Sequence, residues 1–240
     1  EKSEIMKILP RIWLVLCLFT LNLPVVSAEN INNELSEELP ANLVYQTDKL
    51  ESFTKLRLDL VSSYIEIREG EDFQFEVYVS KDDVQFEDVF NYSNKNDQLT
   101  IDEKDWQNNL KSFLTSLTSR IVITVPDTSK LTTQIDLVNG EFLVKGTLAE
   151  LKFDGVNASL TLIGDETYPI KIDIVDGDTN LSFKQYNAEL NFSFVNGNFE
   201  ILGDKVSATF SEFERTLGKG RDAIHIEAVN GSIVLEALEN

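Results

Sequence analysis

Five times along the chain a valine is followed by Asn or Asp, usually then by Gly, and then by alternating apolar residues: VNGEFLV from 138, VNASLTL from 156, VDGDTNL from 175, VNGNFEI from 195 and VNGSIVL from 229. Aligned on Asn139, Asn157, Asp176, Asn196 and Asn230, the first four copies recur at nearly constant intervals, and the last interval is longer and holds an insertion. A period this regular leaves few folds open, because each copy must be one structural unit that recurs. Upstream of each anchor, apolar residues occupy alternate positions, as in Thr133-Ile135-Leu137, Ile170-Ile172-Ile174 and Leu190-Phe192-Phe194. The alternation resumes downstream at Phe142-Val144, Leu160-Leu162, Phe199-Ile201 and Ile233-Leu235. A period of two means strands with one buried face. Asn and Gly tolerate positive φ, so the phrase reads as a backbone corner between two strand segments.

An earlier copy, LRLDLVSSYIEI, has the same alternation with Ser62-Ser63 at its corner. The stretch from Ser62 to Asn139 is close to four more periods long, and FQFEVYV, QLTI and RIVITVP within it are strand-like. The pattern therefore predicts an all-β fold with the repeat running through most of the chain. Two architectures satisfy it. In an antiparallel meander each Asn-Gly is a hairpin tip. In a β-solenoid each unit of about 19 residues is one coil, and Ser62, Asn139, Asn157, Asp176, Asn196 and Asn230 form a ladder along one corner. Asn157-Ala158 favours the solenoid, since a tight hairpin would put Ala at positive φ. About ten coils, each rising ~4.8 Å, are expected, for a length of roughly 45–50 Å.

The run RIVITVPDTSKLTTQIDLVNGEFLVKG, the spaced repeats and the closing LGKGRDAIHIEAVNGSIVLE resemble the bacterial "putative adhesin" family of β-strand-repeat envelope proteins, over roughly residues 53–236. The resemblance implies a right-handed parallel β-helix, an exported or membrane-anchored protein, and no catalytic motif. The chain departs from the family pattern at Ala158, at Ser62-Ser63 and at the acidic copy Asp176.

The N-terminal residues agree with export. From Met6, Lys7 and Arg11 precede an apolar stretch from Ile12 to Val26, and Val26-Ser27-Ala28 is a small-residue cleavage pattern. Residues 1–28 read as a signal peptide preceded by a short upstream extension, residues 29–50 as a lead-in or cap, and 51–240 as the repeat domain. The lone Cys17 lies in the leader behind Leu16, so neither a lipid anchor nor a disulfide is expected. The predicted location is the bacterial periplasm, cell surface or exterior.

The 240 residues carry 21 Lys and Arg against 41 Asp and Glu, a net charge of −20. Such a surface repels phosphate backbones and anionic lipid, which excludes nucleic acid as a partner and leaves an envelope component, a glycan or a host-surface ligand. Two segments interrupt the repeat. Around residues 103–118, DWQNNLKSFLTSL places Trp106, Leu110, Phe113, Leu114 and Leu117 at helical spacing and reads as a packed helical insert. Residues 204–222 read as a loop insertion, and its Phe210, Phe213, Arg215, Lys219 and Arg221 are the candidate binding residues of an otherwise acidic chain.

No cofactor is expected, and the chain reads as a non-enzyme. His225, the single histidine, has no serine or cysteine nucleophile placed with it, and phosphate loops and zinc-ligand clusters are missing. Asp173, Asp176 and Asp178 come nearest to a calcium site, but their spacing does not make their oxygens converge, so no metal is expected. The alternative function is a polysaccharide-acting β-helix enzyme using paired carboxylates.

Overall fold

The computed structural model describes residues 40–47, 50–104 and 117–238, with residues 206–211 described in their backbone alone. The leader, the lead-in before residue 40 and the expected helix around Trp106 to Leu114 lie outside the described residues. The chain forms β1 (Asn42–Gln46), β2 (Lys55–Glu69), β3 (Gln74–Val79), a one-turn helix α1 (Phe86–Val89), β4 (Phe90–Lys95), β5 (Gln98–Glu103) and β6 (Ser119–Val125). A short 3-10 turn at Thr128–Lys130 leads into β7 (Thr132–Lys145), β8 (Glu150–Glu166), β9 (Ile170–Asp176) and β10 (Thr179–Gln185). The last strands are β11 (Ala188–Ile201), β12 (Asp204–Thr216) and β13 (Asp222–Ala237). All thirteen join one large mixed sheet, so the fold is all-β.

The corner residues are not hairpin tips. β7 runs unbroken through Asn139-Gly140 and pairs in parallel with β2 on one side and β8 on the other. Ser62 pairs with Asn139, Asn139 with Asn157, Asn157 with Asp176, Asp176 with Asn230, and Asn230 with Asn196. Six copies of the phrase thus stack in one register.

The burial pattern across the phrase shows why those residue types recur. In β8, Leu151, Phe153 and Gly155 face the core, Val156 and Asn157 both face outward, and Ala158, Leu160 and Leu162 face the core again. Two successive outward residues shift the phase of the alternation, which lets one strand line two walls of the same interior. The residue after Asn must then be small. Ser63 and Ala158, which hold that position in two strands, are buried. Of the Asn and Gly residues that tolerate positive φ, the glycines adopt it, with φ 133 at Gly140, 151 at Gly177 and 137 at Gly231.

Stacking order departs from sequence order at both ends. β5 and β6 together make a layer outside β2, pairing with its first and second arms, so the stretch between Ser62 and Asn139 holds one parallel layer rather than four. At the other end β13 lies between the β9–β10 layer and β11. Seven parallel layers are described, not ten; at ~4.8 Å each, the stack spans about 29 Å. Antiparallel strands cover both ends: β4 on β5, β3 on β6 and β1 on β3 at one end, β12 on β11 at the other. Aromatic side chains close the first of these, where Tyr45 stacks on Phe86 at 4.3 Å and on Phe75 at 5.0 Å.

Candidate functional site

In-register stacking turns each outward position into a row across the sheet, since paired residues of neighbouring strands share a face. On the first arms, Asp102, Asp59, Asp136, Asp154, Asp173 and Glu227 form one continuous row of carboxylates. Two residues upstream, Arg57, Gln134, Lys152, Lys171 and His225 form a basic and polar row beside it. On the other side a ridge of valines marks the corner, with Val195 and Val229 exposed at 38% and 37%. The result is a striped outer face of base, acid and valine.

Like charges a strand spacing apart repel, and the face answers this partly with contacts to the neighbouring basic and polar row. Lys171 Nζ lies 3.1 Å from Asp173 Oδ2, and His225 Nε2 lies 3.0 Å from Glu227 Oε1. Burial weakens the Lys171 charge, but the Asp173 bond and the Asp154 and Glu227 charges together raise its pKa. Asp173 Oδ1 is shielded from water and has no hydrogen-bond partner. At the middle of the row, burial of the carboxyl together with the Asp136 and Asp173 charges pushes the Asp154 pKa up to about 7.

A carboxyl raised from its ordinary 3.8 keeps in the native state a proton that the unfolded chain has already released. Its contribution to stability is complete at low pH and is lost as pH rises from about 4 through 7. Asp154→Asn is expected to leave stability near pH 4 almost unchanged and to raise it at pH 8 by about 1–2 kcal/mol. This is less than the full shift, because the exposed part of the residue is screened by water. Urea unfolding of both proteins at the two pH values measures this, and a gain equal at both would remove the carboxylate repulsion from the account.

Beside the corner, the second arms begin with a hydroxyl and acid row. Ser232 donates to Asp178 Oδ1 from its backbone N–H at 3.0 Å and its hydroxyl at 2.6 Å, and Asp178 N–H donates to Ser159 Oγ at 3.3 Å. At the corner itself Asn157 Nδ2 donates to Asn139 Oδ1 at 3.3 Å. A shallow cleft of about 550 Å³ runs along the far ends of the second arms, lined by Glu69, Asp127, Lys145, Asp165 and Lys184 among others. Its lysines are paired, Lys145 with Glu66 at 2.9 Å and Lys184 with Asp165 at 2.7 Å.

The residues expected to bind in a 204–222 loop are placed differently. Residues 204–216 are the strand β12, antiparallel to β11. Phe213 is half-buried and packs on Phe192 and Phe199 at 5.9 and 4.9 Å. Arg215, opposite buried Leu190, pairs with Asp204 at 3.1 Å across the end of the core. The Lys219 N–H donates to Asn187 Oδ1, and Arg221 pairs with Glu166 at 3.2 Å and Asp222 at 3.1 Å. Phe210 falls where only backbone is described. The structure thus spreads these residues along an edge strand and the turn after it.

Asp173, Asp176 and Asp178 also separate, onto the acid row, the corner and the Ser232 contact. Among the described residues no group of three or more His, Cys, Asp or Glu is placed to hold a metal ion. The acid row itself carried a signal in the sequence: a carboxylate stands three positions before Ser62, Asn139, Asn157, Asp176 and Asn230.

No protein-family model and no curated protein matches the chain. Among solved structures, a putative cell adhesion protein from Clostridium sporogenes aligns with 81% of this chain and 99% of its own, at 18% identity and a TM-score of 0.56. A putative adhesin from Bacteroides fragilis aligns with 83% of this chain and 100% of its own, at 12% identity and a TM-score of 0.40. The likeness to the Clostridium protein is one of fold, and it agrees with the family resemblance in the sequence. Among the described residues no helix is long and apolar enough to cross a membrane.

Proposed function

We propose that this is a non-catalytic exported protein of the bacterial cell envelope or surface. In this reading its layers wind as a right-handed parallel β-helix whose striped face binds a repetitive partner. The observation that carries it is the register of Asp59, Asp136, Asp154, Asp173 and Glu227, which repeats one chemical group over five successive layers. A row with a ~4.8 Å step suits an extended polymer bearing cationic or hydrogen-bonding groups at intervals, such as an envelope glycan or a basic peptide segment. The leader from Met6 to Ala28 and the fold shared with a protein named for cell adhesion support the location.

The test is co-sedimentation with purified bacterial envelopes, comparing the intact protein with the Asp136→Asn, Asp154→Asn, Asp173→Asn triple variant. A loss of at least ~10-fold in affinity, about 1.4 kcal/mol, is expected. Unchanged binding by a folded triple variant would move the site off this face.

A further inference from the structure

The cleft of about 550 Å³ at the far ends of the second arms is separate from the striped face, and its place in the stack gives it a direction. Glu69 of β2, Lys145 of β7, Ile163 of β8, Lys184 of β10 and Leu238 just after β13 line it in turn. These strands are successive neighbours in the sheet, so the cleft crosses four strand spacings, ~19 Å, and runs along the stack. Its volume lies within the range of small-molecule sites. A trough of this length suits a linear chain of several rings better than one compact ligand.

Each charge on its walls already has a partner. Lys145 Nζ lies 2.9 Å from Glu66 Oε1, Lys184 Nζ lies 2.7 Å from Asp165 Oδ1, and Lys130 Nζ lies 2.8 Å from Asp127 Oδ2. Glu69 Oε1 accepts from the Thr128 hydroxyl at 3.0 Å and from its backbone N–H at 3.3 Å. An ionic ligand has to compete with these partners. Hydrogen-bonding capacity is what the walls still offer: an ammonium that gives one proton to a carboxylate keeps two donors, and the carboxylate keeps free lone pairs. The hydroxyls of Ser129 and Thr147 add to this, and half-buried Ile163 and Leu238 add aliphatic surface. Donors and acceptors side by side, next to aliphatic side chains, match a sugar ring, whose neighbouring hydroxyls both donate and accept and whose C–H groups form an apolar face.

We propose that this cleft is a binding site for an uncharged linear oligosaccharide. It takes a different chemistry from the acid row, which favours cationic groups, and it does not depend on binding at the striped face.

The test is isothermal titration calorimetry of the intact protein with maltohexaose, cellohexaose and chitohexaose as neutral probes, beside a chitosan hexamer and a hexagalacturonate as charged ones. At least one neutral hexasaccharide is expected to bind with a Kd of about 1 mM or tighter, and neither charged one to bind more tightly. The Asp165→Ala, Lys184→Ala double variant removes both halves of one exposed ion pair and leaves no charge alone. It is expected to weaken that binding at least ~5-fold, while the Asp136→Asn, Asp154→Asn, Asp173→Asn variant binds the sugar as the intact protein does. Amide NMR shifts in the intact protein provide a reading that needs no variant to fold, and are expected at residues 145–147, 163–165 and 184 on adding the same sugar. No binding of a neutral probe at millimolar sugar, tighter binding of a charged one, shifts confined to other residues, or equal binding by the folded double variant would each overturn the site. Loss of sugar binding in the striped-face variant with the double variant unaffected would place the sugar on the acid row and overturn the cleft alone.

Discussion

Gly231→Ala is expected to destabilise the protein by at least about 3 kcal/mol, although it adds one methyl group. Gly231 has φ 137, a region where an L side chain is strained wherever it points. Here it also points at backbone: a Cβ would sit inside the van der Waals shell of the Gly177 carbonyl oxygen in the next layer. Neither partner can retreat, because Asn230 is held in register by Asp176 on one side and Asn196 on the other. Gly203 is the control. Its φ is also positive, at 87, but nothing lies within 4 Å of the Cβ position, so Gly203→Ala carries the dihedral cost alone, about 1 kcal/mol. Urea unfolding of both variants separates the two contributions. If Gly231→Ala falls within about 1 kcal/mol of Gly203→Ala, the close approach of layers at the corner is not a real constraint.

Phe153→Ala is expected to cost about 4–5 kcal/mol, the upper part of the range for losing a buried aromatic ring. Phe153 is 1% exposed and stacks on Phe142 of the neighbouring strand with centroids 5.7 Å apart and planes at 16°. The reason for the high figure lies two residues on. The inward position held by Leu137 in β7 and Ile174 in β9 is Gly155 in β8, and a Cβ there would meet the Phe153 ring at 2.9 Å. The ring fills the space that a side chain at 155 would otherwise take. Removing it leaves a void with no side chain at 155 to relax into it. Thermal and urea unfolding give the value, and a loss below about 2 kcal/mol would mean that the two walls of the core pack less tightly than the stacked rings indicate.

The strands and the corner register were legible in the sequence because burial on one face writes a period of two, and stacking writes a second, longer period. The degenerate copy at Ser62-Ser63 was recognisable for the same reason, and it pairs with Asn139 as that reading requires. The order of the layers was not legible. VNGNFEI and VNGSIVL are equivalent rungs, and every rung fits every other in one register, so sequence places Asn196 after Asp176 while the fold places Asn230 there. The segment that the spacing reads as a loop insertion over 204–222 is, over Asp204–Thr216, the strand β12, which the alternation of the aligned copies does not announce. Parallel and antiparallel strands share the same alternation, so the antiparallel caps were invisible between Ser62 and Asn139. The carboxylate row was written out in the aligned copies, but single outward acids read as ordinary solubility until stacking made them neighbours. Arg215, which as a cation among aromatic rings reads as a recognition group, pairs with Asp204 in the structure.

With the terminal lids formed by β1, β3 and β4 at one end and β12 at the other, the middle of the stack is the part whose length is free to vary. Duplicating the one unit between Asn139 and Asn157 would lengthen the striped face by one step and add one carboxylate to its row, leaving the lids untouched. Reach along a partner is then a quantity that gene duplication can tune in whole increments, independently of what seals the ends.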